Sequence, residues 1–223
     1  MTAKHIGFDV SRYQRPDAWS WPGLAAMSAT IVARATYGTK PDETFPEYAA
    51  KCREHGVTLG AYHFFRQSQP WGEQVDAFLT AAETLKTGDV LPVIDLEDNS
   101  KFDGPIKAAQ FSEDAERMAS FVRDVYGGLV VYMSSYFPAV LGNPEWLKDP
   151  GYRIWLADYA KEPGSPRTLY SHRWNWHQPA PEWTHLYEGR DQKGNLVEVD
   201  HIYANPEHEP GVMLIGEMPN ACA

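Results

Sequence analysis

The chain has 223 residues, a length typical of one domain with a substantial core, and its hydrophobic fraction of 43% argues against intrinsic disorder. The formal net charge of −10 argues against nucleic acid as the main partner. No apolar run approaches the roughly 20 residues of a membrane span, and no long apolar stretch precedes the first predicted strand. We therefore expect neither membrane insertion nor a signal peptide.

Strand-like and helix-like patterns alternate along most of the chain, which predicts a mainly parallel sheet with outer helices. Predicted strands lie in residues 5–14, 30–36, 59–65, 91–98, 129–133, 154–159 and 197–203, and predicted helices in 43–55, 71–85 and 112–126. Gly56 and Gly127 end two of the helices, and Ser112 is the expected N-cap of the third.

After Glu162 the pattern changes to short β-like pieces rich in Trp, Pro and Gly, without helices between them. The expected fold class is therefore α/β: an irregular TIM-like (β/α) barrel with mainly parallel strands and a late β-rich, helix-poor part. We expect one domain over residues 1–205 and a C-terminal tail, residues 206–223, packed on the barrel.

The most informative segment is the apolar run of residues 91–98, which ends in Asp95, Glu97 and Asp98. On a strand, side chains two residues apart share a face, so Asp95 and Glu97 point the same way, roughly 6–7 Å apart at their bases. Two carboxylates so close disfavour joint ionisation and keep one protonated. An acid beside a charged partner suits cleavage of a glycosidic bond, although a solvated strand end or a metal-ligand pair would show the same pattern.

Other predicted strands also end in polar or aromatic side chains. Asp9 ends the first strand, and Asp200 lies in the last; Tyr62 with His63, and Trp155 with Tyr159, lie on strands between them. Several strands that each end in functional side chains predict a barrel with its active site at the carboxyl-terminal rim.

Taken together, these segments resemble the glycoside hydrolase family 25 lysozymes, the Chalaropsis-type muramidases. The matching pieces occur in the family's order, from the start of the chain to about Asn205: Asp9-Val-Ser-Arg-Tyr-Gln14, Ala33-Arg-Ala-Thr-Tyr-Gly38, Gly60-Ala-Tyr-His-Phe-Phe65, Asp95-Leu-Glu97, Trp155-Leu-Ala-Asp-Tyr159 and Val199-Asp200. Two late pieces depart from the family pattern: Asp200 is followed by His201 and Ile202, and a Trp-Gln motif is here Trp176-His-Gln178.

The resemblance implies roles for four acids. Glu97 matches the family's general acid, and Asp95 matches an acid that orients the substrate's 2-acetamido group, whose oxygen attacks the anomeric carbon. Asp9 and Asp200 match further acids of the site, either as electrostatic support or as a base that activates water. The expected sugar contacts are Tyr62, Trp155, Tyr159 and Tyr37.

Some residues are assigned to structural roles instead. His63 alternates with Tyr62 and is expected in the core, and Asp158 alternates with Trp155 and Tyr159. Cys52 and Cys222 are read as free thiols, although a disulfide between them stays open. Further tryptophans and aromatic residues are candidates for the sugar groove, each with core packing as the alternative: Trp19, Trp21, Trp71, Trp174 and Trp176.

The resemblance implies an N-acetylmuramidase that cleaves β-1,4 bonds between N-acetylmuramic acid and N-acetylglucosamine in bacterial peptidoglycan, without cofactor, metal or protein partner. We expect the protein to be a phage endolysin that is made in the host cytoplasm and acts on the cell wall. The alternatives are a non-catalytic glycan-binding module on the same barrel, an N-acetylglucosaminidase, and a metal-dependent hydrolase or deacetylase, which would lose activity in a chelator.

Overall fold

The computed structural model describes residues 4–159, 176–179, 184, 186–190, 193, 195–204 and 214–216. Within these ranges the chain forms one sheet with helices packed around it. The strands are β1 (Lys4–Val10), β2 (Thr30–Tyr37), β3 (Lys40–Pro41), β4 (Thr58–Phe64), β5 (Val93–Leu96), β6 (Leu129–Ser134), β7 (Tyr152–Ala157), β8 (Trp176–Gln178) and β9 (Asp200–Ala204).

The sheet is curled, and most of its strand pairs are parallel. The strand order is β1-β9-β8-β7-β6-β5-β4-β2-β3, and β1 also pairs with β2. The pairs that involve β9 and the short β3 are antiparallel. The hydrogen-bonded strand pairs therefore form a closed series, which runs from β1 to β2, on through β4 to β8, and back to β1 through β9. The prediction of an α/β chain with mainly parallel strands is confirmed, and no helix separates β8 from β9 in the described part of residues 176–204.

The helices connect successive parallel strands on the outside of the sheet. They are α1 (Trp21–Ala26), α2 (Phe45–His55), α3 (Trp71–Ala82), α4 (Ser100–Asp103), α5 (Ala108–Tyr126) and α6 (Phe137–Val140), with short 3-10 turns at Pro16–Ala18 and Glu145–Lys148. α2 and α3 both pack against β2, and α3 packs on α5. None of the helices in the described ranges is long and apolar enough to cross a bilayer.

The ends of the longer helices follow the expected chemistry, with one exception. Gly56 ends α2 with a φ of 68° and Gly127 ends α5 with a φ of 73°, the left-handed conformation that glycine adopts without a steric penalty. The prediction that Ser112 is an N-cap is wrong, because α5 begins a full turn earlier at Ala108. Ser112 is buried instead, and its hydroxyl accepts a hydrogen bond from Trp146 Nε1 at 3.0 Å.

The close approach of β1 to β2 requires a glycine. A Cβ atom at Gly7 would collide with the carbonyl oxygen of Thr30 on the neighbouring strand. Pairing of β1 with β9 also shifts register between His5 and Gly7. Gly7 therefore lets the first strand fit between its two partners, and it fixes where Asp9, two residues later, enters the sheet.

The segment 214–216 is held against the loop that precedes β5. Gly88 N donates to Ile215 O at 3.0 Å, and Ile215 N donates to Asp89 O at 2.7 Å. The Ile215 side chain is 2% exposed and belongs to the main apolar core, whereas Leu214 beside it is 38% exposed. This contact holds residues 214–216 against the end of the sheet at which β5 begins.

Replacing Ile215 by alanine is expected to destabilise the fold by about 2–4 kcal/mol, because a buried aliphatic side chain leaves a cavity when it is truncated. For a chain of this size the melting temperature should fall by about 2–4 °C for each kcal/mol. Leu214→Ala, in the same segment but partly exposed, is the matched control. Equal melting temperatures for the two variants would show that the segment contributes no core packing.

Candidate active site

A cavity of about 240 Å³ opens where the parallel strands end. Its walls include four carboxylic acids, contributed by β1, by β5, by the residue after β5, and by β9: Asp9, Asp95, Glu97 and Asp200. The structure therefore brings together the four acids that the sequence singled out, from elements far apart in the chain.

Asp95 and Glu97 face the cavity together, as alternation along β5 predicts. Asp95 is 6% exposed, and its Oδ1 atom has no hydrogen-bond partner among the described residues. Glu97, one residue beyond the end of β5, is half-buried. Burying a carboxyl oxygen without a hydrogen-bond partner makes the free energy of folding less favourable. The same oxygen can accept a hydrogen bond from a ligand in the cavity.

Asp9 and Asp200 lie directly opposite each other on the antiparallel strands β1 and β9. Like charges in opposite positions of a strand pair destabilise a sheet. The side chain of Gln178 lowers the pKa of Asp200, which compensates part of this cost. A pair of acids kept at such a position indicates a functional requirement at this end of the sheet.

Burial raises the pKa of all four carboxyl groups, and their proximity adds to the effect. Glu97 and Asp9 further raise the pKa of Asp95, and Asp200 further raises that of Glu97. The pKa of Asp9 is raised by burial, then by Asp200 and Glu97, while the pKa of Asp200 is raised chiefly by burial. The cluster therefore favours the protonated form of these carboxyl groups, which can then act as proton donors.

Arg34 is the one cation among the described residues that line the cavity. Its Nε donates to Asp42 Oδ2 at 2.7 Å, and the side chains of both residues are buried. Asp42 also accepts hydrogen bonds from Thr44 N and Thr44 Oγ1. The guanidinium of Arg34 lowers the pKa values of Asp9 and Asp95 and so opposes the mutual repulsion of the acids.

Aromatic side chains form the rest of the wall. Register places Asp95 beside Tyr132 and Tyr132 beside Trp155 on consecutive strands. Tyr132 Oη and Tyr159 Oη are 3.4 Å apart, and Gln178 Nε2 donates to Tyr159 Oη at 3.4 Å. These contacts connect Tyr132, Tyr159 and Gln178 along the wall of the cavity. Rings with polar edges next to acids are suited to stacking and hydrogen bonding with a sugar.

Of the four predicted sugar contacts, three line this cavity: Tyr62, Trp155 and Tyr159. Tyr37 lies outside it, in an adjoining cleft, where its hydroxyl accepts a hydrogen bond from Asn99 Nδ2 at 2.9 Å. Asp158 is buried and borders another cleft, which also includes Glu97. That the two tyrosines and the tryptophan of the cavity, and Tyr37 of the adjoining cleft, contact a sugar remains a prediction.

His63 packs in the core, as expected from its alternation with Tyr62. It is hydrogen-bonded to Thr36 Oγ1 at 2.7 Å and to Gln74 Oε1 at 3.1 Å, and burial lowers its pKa to about 3. Cys52 is buried and forms no disulfide within the described part of the chain, and Cys222 lies outside that part.

Two of the groove candidates are core residues. Trp19 and Trp21 are each 5% exposed, and their indole nitrogens donate to Tyr48 Oη and Pro16 O. Trp71 is half-buried at the start of α3, away from the cavity lining. The Trp176 backbone lies in β8, while its side chain and all of Trp174 fall outside the described part.

Reasoning from the sequence missed Arg34, Tyr132 and Gln178. Each had a weak signal: a charged residue within the apolar run of β2, a tyrosine within the apolar β6, and a glutamine in a quoted motif. Among the residues that the structure describes, no group of three or more His, Cys, Asp or Glu side chains is arranged to hold a metal ion.

A reaction that takes a proton from Glu97 is expected to slow at alkaline pH, because Glu97 then loses the proton that its raised pKa retains. Asp200→Asn removes one of the two causes of that shift, so the alkaline limb of the kcat/KM profile should move to lower pH. Asp124→Asn is the control, since Asp124 is exposed on α5, outside the cavity lining, and is not a cause of the Glu97 shift. An alkaline limb unmoved by Asp200→Asn would show that another group titrates there.

The family model described as "Glycosyl hydrolases family 25" matches residues 8–184. Among curated proteins, the chain is 28% identical over 144 residues to the uncharacterized protein YegX of Escherichia coli (strain K12), covering 59% of this chain and 52% of that protein. The chain thus spans about half the length of the curated relatives it matches.

Solved structures share the fold. The bacterial lysozyme from Streptomyces coelicolor superposes with a TM-score of 0.74 at 18% identity, covering 94% of this chain and 95% of that one. The catalytic domain of endolysin ply40 from bacteriophage P40 of Listeria monocytogenes gives a TM-score of 0.66 at 18% identity, covering 92% and 95%.

Proposed function

Because the chain belongs to family 25 of the glycosyl hydrolases, we propose that it is an N-acetylmuramidase acting on bacterial peptidoglycan. The observation that carries this proposal is the cluster of four acids in a cavity walled by aromatic side chains. A glycan-binding module without catalysis has no use for buried acids that raise one another's pKa values.

Glu97 is the proposed general acid. Its raised pKa keeps the proton that the leaving glycosidic oxygen needs, and its half-buried position still allows contact with a substrate. Asp95 is proposed to accept a hydrogen bond from the N–H of the 2-acetamido group through its unpartnered Oδ1, so that the acetamido oxygen attacks the anomeric carbon. Asp9, Asp200 and Arg34 set the electrostatic potential in which the positive charge develops.

The curled sheet, with β1 paired to both β2 and β9, supports an irregular TIM-like barrel. Residues 1–205 are its proposed catalytic domain, and 206–223, of which the structure describes only 214–216, are a proposed tail packed on it. Similarity to the phage catalytic domain supports an endolysin, made in a host cytoplasm and acting on the wall. Tyr62, Trp155, Tyr159 and Tyr37 are the proposed sugar contacts.

Mass spectrometry of the reducing ends released from purified peptidoglycan tests the function. Reducing N-acetylmuramic acid supports the muramidase, and reducing N-acetylglucosamine would make the enzyme a glucosaminidase. Absence of new reducing ends, with binding retained, would favour a glycan-binding module. Activity that is lost in EDTA and restored by a divalent ion would favour the metal-dependent alternative.

Hydrolysis is expected to retain the β configuration. Asp95 and Glu97 project from one strand face, so they do not flank a sugar from opposite sides as two separate catalysts do. Attack by the acetamido oxygen followed by attack of water inverts the anomeric carbon twice. Proton NMR of the anomeric signal at early times, before mutarotation, measures the outcome. An initial α product would instead indicate direct attack of water, with Asp9 or Asp200 as the base.

A further inference from the structure

A second cleft, of about 680 Å³, adjoins the catalytic cavity and shares four lining residues with it: Tyr13, Arg34, Phe64 and Glu97. It lies between the β1–α1 connection, the β2–β3 turn and the segment after β5. Two of its aromatic side chains are the most exposed large hydrophobic residues in the described part of the chain: Tyr13 at 66% and Phe102 at 67%. Apart from Tyr37 and the residues that it shares with the catalytic cavity, the muramidase function assigns no role to the side chains of this cleft.

The cleft carries charges of both signs at its surface. Arg34 and Arg66 are paired with Asp42 and Asp103, so their charges are largely compensated. Arg12 and Lys40 are exposed, and neither makes an ion pair with a carboxylate among the described residues.

The exposed acids Glu43 and Asp98 also line the cleft. On the other side of Glu97, a cleft of about 350 Å³ contains Asp98 and Asp158 but no Lys or Arg among its described lining residues. The basic side chains are therefore confined to one side of the general acid, in a chain whose net charge is −10.

Mixed charge of this kind does not match the sugar backbone of peptidoglycan, whose rings are uncharged. It matches the short peptide that is attached to the lactyl group of muramic acid, which bears free carboxylates and, in many walls, a free amine. Exposed Tyr13 and Phe102 offer apolar surface to the aliphatic parts of such a peptide.

We propose, building on the function above, that the cleft containing Arg12 and Lys40 binds the peptide stem of the muramyl residue and makes the enzyme selective for peptide-substituted glycan strands. Arg12 and Lys40 bind stem carboxylates, and Glu43 and Asp98 lie where they can receive a stem amine. The bound stem then places its own muramyl ring beside Glu97.

The test compares two soluble substrates from one preparation: glycan strands bearing their peptides, and the same strands stripped by an amidase. The walls are first treated with hydrofluoric acid, so that phosphate polymers are absent. Wild-type enzyme should have a higher kcat/KM on the peptide-bearing strands. In the double variant Arg12→Gln/Lys40→Gln the ratio of the two kcat/KM values should fall by about fivefold, the size expected for two exposed ion pairs.

The double variant Lys51→Gln/Lys86→Gln is the control for net charge, because both residues lie outside the two clefts. It should keep the wild-type ratio, and thermal melts should show that both double variants fold. An unchanged ratio in Arg12→Gln/Lys40→Gln, or an equal fall in the control, overturns the peptide subsite while leaving the muramidase intact. Failure of wild-type enzyme to cut either substrate would instead overturn the proposed function.

Discussion

Replacing Glu97 by glutamine is expected to lower the rate of peptidoglycan hydrolysis by about 10²–10⁴-fold, the usual contribution of a general acid. The amide has nearly the same shape but cannot release a proton to the leaving oxygen. Since the carboxyl group is half-buried beside other acids, loss of its charge should not destabilise the fold. Release of reducing ends from purified walls measures turnover, and sedimentation with walls measures binding.

Glu116→Gln is the matched control, because Glu116 is exposed on α5, outside the clefts described above. It should hydrolyse walls at the wild-type rate. Glu97→Gln should still bind walls, so that the defect appears in kcat. Retention of more than about a tenth of wild-type turnover by Glu97→Gln would remove Glu97 from the role of general acid.

Asp95→Asn is expected to reduce turnover by about 10²–10³-fold, as does loss of one preorganised electrostatic contact to a transition state. Asp95 Oδ1 is buried and has no partner among the described residues, so a ligand contact is the simplest use for it. The amide keeps the volume and loses the charge that would stabilise the reacting acetamido group. A variant with near-normal kcat would show that Asp95 only shapes the cavity.

The same substitution should make the protein more stable at neutral pH. Burial, Glu97 and Asp9 raise the pKa of Asp95 in the folded state, so its favourable contribution to stability is present at acidic pH and is lost as pH rises through the folded-state pKa. Asparagine never ionises. Asp95→Asn should therefore melt at a higher temperature than wild type at pH 7, with the difference vanishing below about pH 4. Equal melting temperatures at pH 7 would contradict the cost assigned to the buried acid.

Much of the fold can be predicted from local patterns in this sequence. The apolar run at residues 91–98 and the paired acids at its end locate β5, although the strand itself is only Val93–Leu96. Gly56 and Gly127 mark helix ends because the backbone has a positive φ at these positions, which glycine adopts without a steric penalty. The start of α5 was missed because a buried serine that accepts a hydrogen bond from Trp146 looks, in sequence, like a cap.

Site residues could be predicted where the residue type itself indicates a function. They could not be predicted where the role of a side chain depends on a residue that is distant in the sequence. Carboxylates at strand ends stand out in a sequence, and the four acids meet in one cavity. The place of Arg34 depends on Asp42, beyond the β2–β3 turn, and no spacing rule connects them. Trp19 and Trp21 resemble sugar-stacking residues in composition, yet only the three-dimensional packing shows that they fill the core.

The pairing of Asp9 with Asp200 also bears on how the protein reaches its working state. One acid lies in the first of the described strands and the other in the last of them, so all of the residues between the two must be synthesised before they can meet. Contacts between such distant parts of a chain slow folding, because loop closure precedes any gain from the contact. In a refolding experiment, hydrolytic activity should therefore return with the slowest phase, after helix content has recovered. A ribosome-bound chain that lacks β9 would contain Asp95 and Glu97 without a complete catalytic cavity.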